Sequence, residues 1–221
     1  MPRTVRASQA DYCYHVLNRG NGRSVVFHED EDYQEFVDLI GECSERLPMS
    51  VLGYCLMPNH FHLVLRPEAD GDLSRWMQWL LTSQVRRHHG RHGTSGHVWE
   101  GRFRAFACQE DGHLTTLLRY VERNPLCSRL VKEAESWPWS SLNLVGLRTR
   151  PSYFDLGPRP SRAEWRRRVN RPMTEAELTA IPHCIKRGSP FGDEAWTKKT
   201  VKDLGLESSV RPRGRPRKIV P

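Results

Sequence analysis

No apolar run in this chain approaches the roughly 20 residues that a membrane-spanning helix needs. The start, Met1-Pro2-Arg3-Thr4-Val5-Arg6, carries charge with no apolar stretch behind it, so no export signal is expected. The six cysteines (Cys13, Cys43, Cys55, Cys108, Cys127, Cys184) form no C-x-x-C pair. Without an export signal they are expected to be reduced thiols rather than a disulfide framework. No internal repeat is visible. Apolar residues make up only 38% of the chain, so part of it is expected outside a packed core. These absences argue for a cytoplasmic protein with no membrane partner.

Charge of one sign is also missing over long stretches. The net charge of +8 suggests a polyanionic partner, nucleic acid before membrane. Yet residues 1–158 hold 18 basic and 19 acidic side chains. The excess lies in residues 159–171, with six basic and one acidic, and in 208–221, with five basic and none acidic. The first reads as a linker entering a short basic helix, which either grips duplex or is a solvated face. The second is rich in Pro, Gly and Arg and reads as disordered when free. Residues 29–45 hold eight acids and no Lys or Arg, with Phe36, Val37, Leu39 and Ile40 at helical spacing. They predict an amphipathic helix whose acidic face lies away from any nucleic-acid surface.

The remaining elements follow from periodicity. Strands are predicted at 12–18, 50–57, 60–65 and 98–108, the middle two as a hairpin about Pro58-Asn59. Helices are predicted at 72–88 and 111–124, the latter capped by Asp111 and stopped by Pro125. His88, His89 and His92 are read as an exposed Gly-rich loop, and Trp137 and Trp139 as core packing. The order β-α-β-β-α-β-α predicts an α+β domain, an antiparallel sheet with helices packed on it.

Three sets of residues suggest chemistry. His60 and His62 share one face of a strand, so two imidazoles can converge on one divalent ion. Ordinary strand histidines are the plainer alternative, because the spacing is weak evidence alone. Tyr120 and Asn124 share one helical face. A Tyr hydroxyl can attack phosphorus and an amide oxygen can ligate a hard metal, against the commoner role of a packed aromatic. Arg102 and Arg104 beside Trp99, and Arg19 near the Gly20-Asn21-Gly22 turn, suit backbone neutralisation with base stacking. A solvated strand face with one core Trp is the alternative. In the tail, Arg211 and Arg217 flank a Pro-Arg-Gly-Arg-Pro core containing Arg213 and Arg215, which looks like an AT-hook for the minor groove of A·T-rich duplex. A generic basic tail is the alternative.

An ordered set then carries a resemblance: Tyr14-His15-Val16 with Asn18-Arg19-Gly20-Asn21; Met57-Pro58-Asn59-His60-Phe61-His62-Leu63; Trp99-Glu100-Gly101-Arg102-Phe103; Tyr120-Val121-Glu122-Arg123-Asn124-Pro125; and Trp137-Pro138-Trp139-Ser140-Ser141. Over roughly residues 10–145 the chain resembles the single-tyrosine HUH transposases, above all the REP-associated tyrosine transposases. The resemblance implies a ferredoxin-like antiparallel sheet with the HUH motif on a central strand. It implies Mg²⁺ or Mn²⁺ held by His60, His62 and Asn124, with Tyr120 as nucleophile. Mobile insertion-sequence relatives usually carry Gln at the Asn124 position, and Asn marks the palindrome-associated branch.

The implied activity is that of a DNA endonuclease and strand transferase. It would cleave and rejoin single-stranded palindromic or hairpin DNA through a 5′-phosphotyrosine, with no small-molecule cofactor. A palindrome-binding regulator with little turnover and a hydrolytic metallonuclease without a covalent step are the competing readings. The expected organisation is a catalytic domain at 1–148, a partly helical accessory region at 149–207 and a basic tail at 208–221, in a nucleoid-associated monomer or homodimer.

Overall fold

The computed structural model describes residues 8–211. Strands β1 (Cys13–Arg19), β2 (Met49–Met57), β3 (His60–Pro67) and β4 (Arg104–Cys108) form one antiparallel sheet in the order β2-β3-β1-β4. Helix α1 (Asp30–Arg46) joins β1 to β2, and α2 (Asp72–His92) joins β3 to β4. This βαββαβ order with β1 and β3 inside is the ferredoxin-like arrangement. Then follow α3 (Gly112–Cys127), α4 (Arg162–Asn170), α5 (Glu175–Arg187), α6 (Glu194–Asp203) and the single turn α7 (Glu207–Val210). Among the described residues no helix is long and apolar enough to cross a membrane.

The two-residue period of the strands divides the core. Phe61, Leu63 and Leu65 of β3, with Tyr14 and Val16 of β1, pack under Phe36, Leu39 and Ile40 of α1 and Trp76, Met77 and Leu80 of α2. The alternate residues, Val64 and Cys13 among them, face α3 through Leu114, Leu117, Leu118 and Val121. His60 and His62 share this second face. The acidic helix α1 therefore lies across the sheet from the histidines.

Four elements depart from the sequence expectation. Only Arg104–Cys108 of the predicted strand 98–108 pairs as a strand. Gly101, at φ 144°, breaks the extended run, and Trp99 makes a single bridge to Gly20. Helix α2 runs past residue 88, so His88, His89 and His92 sit on its last turns and not in a loop; Gly93, left-handed, ends it. Helix α3 passes through Pro125 to Cys127. Proline removes the donor for the Val121 carbonyl, and the Asn124 side-chain amide approaches that carbonyl at 3.5 Å while donating to Tyr120 O at 2.9 Å.

The fourth departure is residues 159–171, which are docked on the body. Trp165 is fully buried, and its indole N–H donates to Glu122 of α3 at 2.6 Å. Glu122 also accepts from Arg159 and Ser141 at 2.6 Å each. Both sheet edges are closed by later chain. Val51 pairs with Phe154 and Cys55 with Ser140 along β2, and Cys108 pairs with Phe191 along β4.

Candidate active site

Register places the site. Arg19 lies opposite His60 and Leu17 opposite His62 across the β1–β3 ladder, which sets His15 on the same face as His62. Gly20 must be glycine where β1 ends, because a Cβ there would sit 2.2 Å from Ser24 O. His15 Nε2 and His62 Nδ1 are 2.9 Å apart, sharing one hydrogen bond. His60 Nδ1 is bonded to Asn59 Oδ1 at 2.7 Å. The Nε2 atoms of His60 and His62 have no protein partner among the described residues.

Burial keeps these rings neutral. It lowers His15 to about 3 and, with Arg19 nearby, His60 to about 4. It also holds His62 well below the usual histidine value, helped by His15, His60 and Arg19. Neutral imidazoles with free Nε2 atoms are the form that binds a divalent ion.

Helix α3 brings Tyr120 to the same place. Its ring stands edge-on to His62, centroids 5.9 Å apart at 88°. Burial raises the Tyr120 phenol, Cys127 adds to the rise, and Arg19 opposes it. Asn124 stands one turn on, its amide N–H groups turned to the helix carbonyls and its Oδ1 without a protein partner among the described residues. Imidazole nitrogens suit divalent transition ions, and an amide oxygen suits harder ions such as Mg²⁺ and Mn²⁺. No group of three His, Cys, Asp or Glu side chains among the described residues could hold a metal. Any metal here therefore needs an amide or solvent ligand beside the histidines.

The other named residues separate. Arg19, Arg102 and Arg104 line one cavity of about 170 Å³ beside the histidines, with Asn18 and Glu100. Asn18 holds its rim, donating to Gly101 O at 3.1 Å. Trp99 is a core side chain, not a surface for stacking bases. It is 5% exposed, packs on Phe27 and Phe61, and donates its N–H to Gln84 at 3.0 Å. Arg211 is exposed, its carbonyl accepting from Arg187. Arg213, Arg215 and Arg217 lie outside the described residues. His15 escaped the sequence reading as a site residue. It stood in the first motif of the resemblance without a role, and its partner lies 47 positions away.

The fold and site together are a ferredoxin-like sheet with an H-x-H pair on an inner strand, faced by a tyrosine from a helix. The comparison with known families is specific. The model of the IS200-like transposases matches residues 8–124, more than half of the chain, and the chain belongs to that family. A Haemophilus influenzae protein described as a REP-associated tyrosine transposase is 27% identical over 124 residues, covering 51% of this chain and 70% of the relative. The solved structure of a REP-associated tyrosine transposase bound to a REP hairpin matches with a TM-score of 0.57 and 18% identity. It covers 73% of this chain and 93% of that one. At that identity the match speaks for the fold.

Proposed function

We propose that this transposase-family protein cuts and rejoins hairpin-forming single-stranded DNA through a covalent link to Tyr120. The carrying observation is Tyr120 set edge-on to His62, on the sheet face where His60 and His62 keep their Nε2 atoms free. The relative and the structural neighbour named for REP elements support palindromic hairpins as substrate.

His60, His62 and Asn124 would hold Mg²⁺ or Mn²⁺. A bound divalent ion would polarise the scissile phosphate and neutralise its charge. The chain's own groups do the rest. His15 holds the His62 ring so that Nε2, not Nδ1, faces the site. Arg19, Arg102 and Arg104 neutralise neighbouring phosphates. Helix α3 fixes the Tyr120 oxygen for in-line attack.

In that attack the phenol oxygen bonds to phosphorus and the P–O3′ bond breaks. The phenol proton passes to solvent, and the 3′ oxygen leaves and takes up a proton. The 5′ phosphate stays on Tyr120. One phosphodiester replaces another, so a 3′-OH can reverse the step and no nucleotide cofactor is consumed.

The test is incubation with Mn²⁺ and a labelled hairpin oligonucleotide. A denaturant-stable protein–DNA adduct is expected from the wild type and none from Tyr120→Phe. Cleavage that survives in Tyr120→Phe would sink the covalent mechanism and favour a hydrolytic nuclease. Binding without cleavage would favour a palindrome-binding regulator.

A further inference from the structure

We infer that the cleft between the end of α3, the turn at 132–135 and α4 is a second DNA contact, and that it grips the sugar–phosphate backbone of the paired stem beside the cleavage point. This deepens the hairpin reading and rests on it. The cleft has a volume of about 620 Å³ and is lined by Arg123, Lys132, Arg166, Arg167 and Arg171, with two glutamates.

The arginines of residues 159–171 divide by role. Arg159 is buried against Glu122, and Arg168 pairs with Glu164 on its own helix. Arg123, from α3, spends its guanidinium on the carbonyls of Val169 and Asn170 at 2.7 Å. Among the described residues Arg166, Arg167 and Arg171 have no ion pair, and the Nε of Arg166 is buried with no partner. One of the two acids, Glu135, is taken by Asn170 at 2.7 Å. The exposed guanidinium groups of Arg167 and Arg171, with no carboxylate partner among the described residues, are open to phosphate oxygens, which guanidinium groups bind by paired, charge-assisted hydrogen bonds.

Position and lining select the duplex stem. Arg123 lies three residues beyond Tyr120 on the same helix, about 4.5 Å along its axis. DNA in the cleft would therefore lie close to the scissile phosphate. No aromatic side chain lines the cleft. Grooves for unpaired strands rely on aromatic rings to stack bases. Guanidinium groups alone read phosphates, which a stem presents in regular order.

The experiment compares the full wild-type chain with Arg166→Gln/Arg167→Gln/Arg171→Gln. Kd is measured against salt for a hairpin, a plain duplex of the stem sequence and an unstructured strand of equal length. With three guanidinium groups removed from the phosphates, the slope of log Kd on log salt for hairpin and duplex should become shallower by about 2–3. Hairpin Kd should weaken about tenfold or more at low salt. Affinity for the unstructured strand and adduct formation at saturating hairpin should stay within about twofold. Arg167→Gln/Arg171→Gln, both exposed, should move the same way by a smaller amount and guards against misfolding of the triple variant.

Unchanged slope and Kd on hairpin and duplex would overturn the inference, as would equal loss on the unstructured strand. A wild type that does not prefer the hairpin over the unstructured strand would fault the hairpin reading instead. The cleft would then be judged on the plain duplex alone.

Discussion

At the scale of single residues the site depends on which nitrogen of His62 faces outward. A histidine ring shows one lone pair and one N–H when neutral, and a partner on Nδ1 decides which end ligates. His15 is that partner at 2.9 Å, itself buried and packed on Phe106. His15→Phe keeps much of the ring volume and removes the hydrogen bond. It should weaken Mn²⁺ binding about 10–100-fold, the usual cost of losing such support. His15→Gln, which can still meet Nδ1, should recover part of the loss. Isothermal titration of DNA-free protein with Mn²⁺ checks this, and equal affinities in wild type and His15→Phe would refute the role. Spacing placed the histidine pair on one strand face and Tyr120 with Asn124 on one helix face, but only the family resemblance singled them out as a site. His15 was not singled out, because its partnership exists only once the β1–β3 register is known.

At the scale of elements, α3 carries the tyrosine and is held by a buried charge. Glu122 is 0% exposed and accepts from Arg159, Ser141 and Trp165, so it ties α3 to the chain before and within α4 and to the turn at Ser141, whose hydroxyl oxygen accepts from Tyr54 N–H of β2. Removing one partner of a buried pair leaves an uncompensated charge, at a cost of about 3–5 kcal/mol. Glu122→Ala should lower the unfolding free energy by about that amount in urea titrations monitored by tryptophan fluorescence. A change under about 1 kcal/mol, the size of an exposed pair, would mean that the network is solvated in solution. The β2–β3 hairpin and α1 could be read from the sequence because apolar period and turn residues agree there. The end of α3 could not, because Pro125 signals a stop, yet the helix continues to Cys127 with the Asn124 side chain bonded to its carbonyls. The run 98–103 alternates like a strand, but Gly101 turns it away and leaves Trp99 in the core. The docking of Trp165 was hidden by the arginines around it, which read as either a grip on duplex or a solvated face and not as a packed helix.

At the scale of the whole molecule, charge and topology separate two surfaces. Helix α1 presents its acids on one side of the sheet, where Arg87 and Arg91 of α2 neutralise part of them. The histidines, Tyr120 and the arginine-lined cavities lie on the other side. A polyanion is thus repelled from one face and drawn to the face where we propose the chemistry occurs. The segment 208–221 adds five positive charges to a body that is otherwise nearly balanced. If that segment tethers DNA without touching the reacting phosphate, its removal should separate binding from chemistry. A chain ending at residue 207 should bind hairpin DNA more weakly and with a salt slope shallower by up to about 4–5, one step of about 0.9 for each phosphate no longer neutralised. Single-turnover adduct formation at saturating hairpin should change less than about threefold. Filter binding across a salt series and gel-resolved adduct kinetics measure the two quantities on the same preparation. A truncation that leaves the slope intact but slows the adduct would instead place the tail inside the catalytic step. The reason is that phosphate contacts add to affinity wherever they fall on the duplex, whereas only groups held against the reacting phosphate alter its barrier.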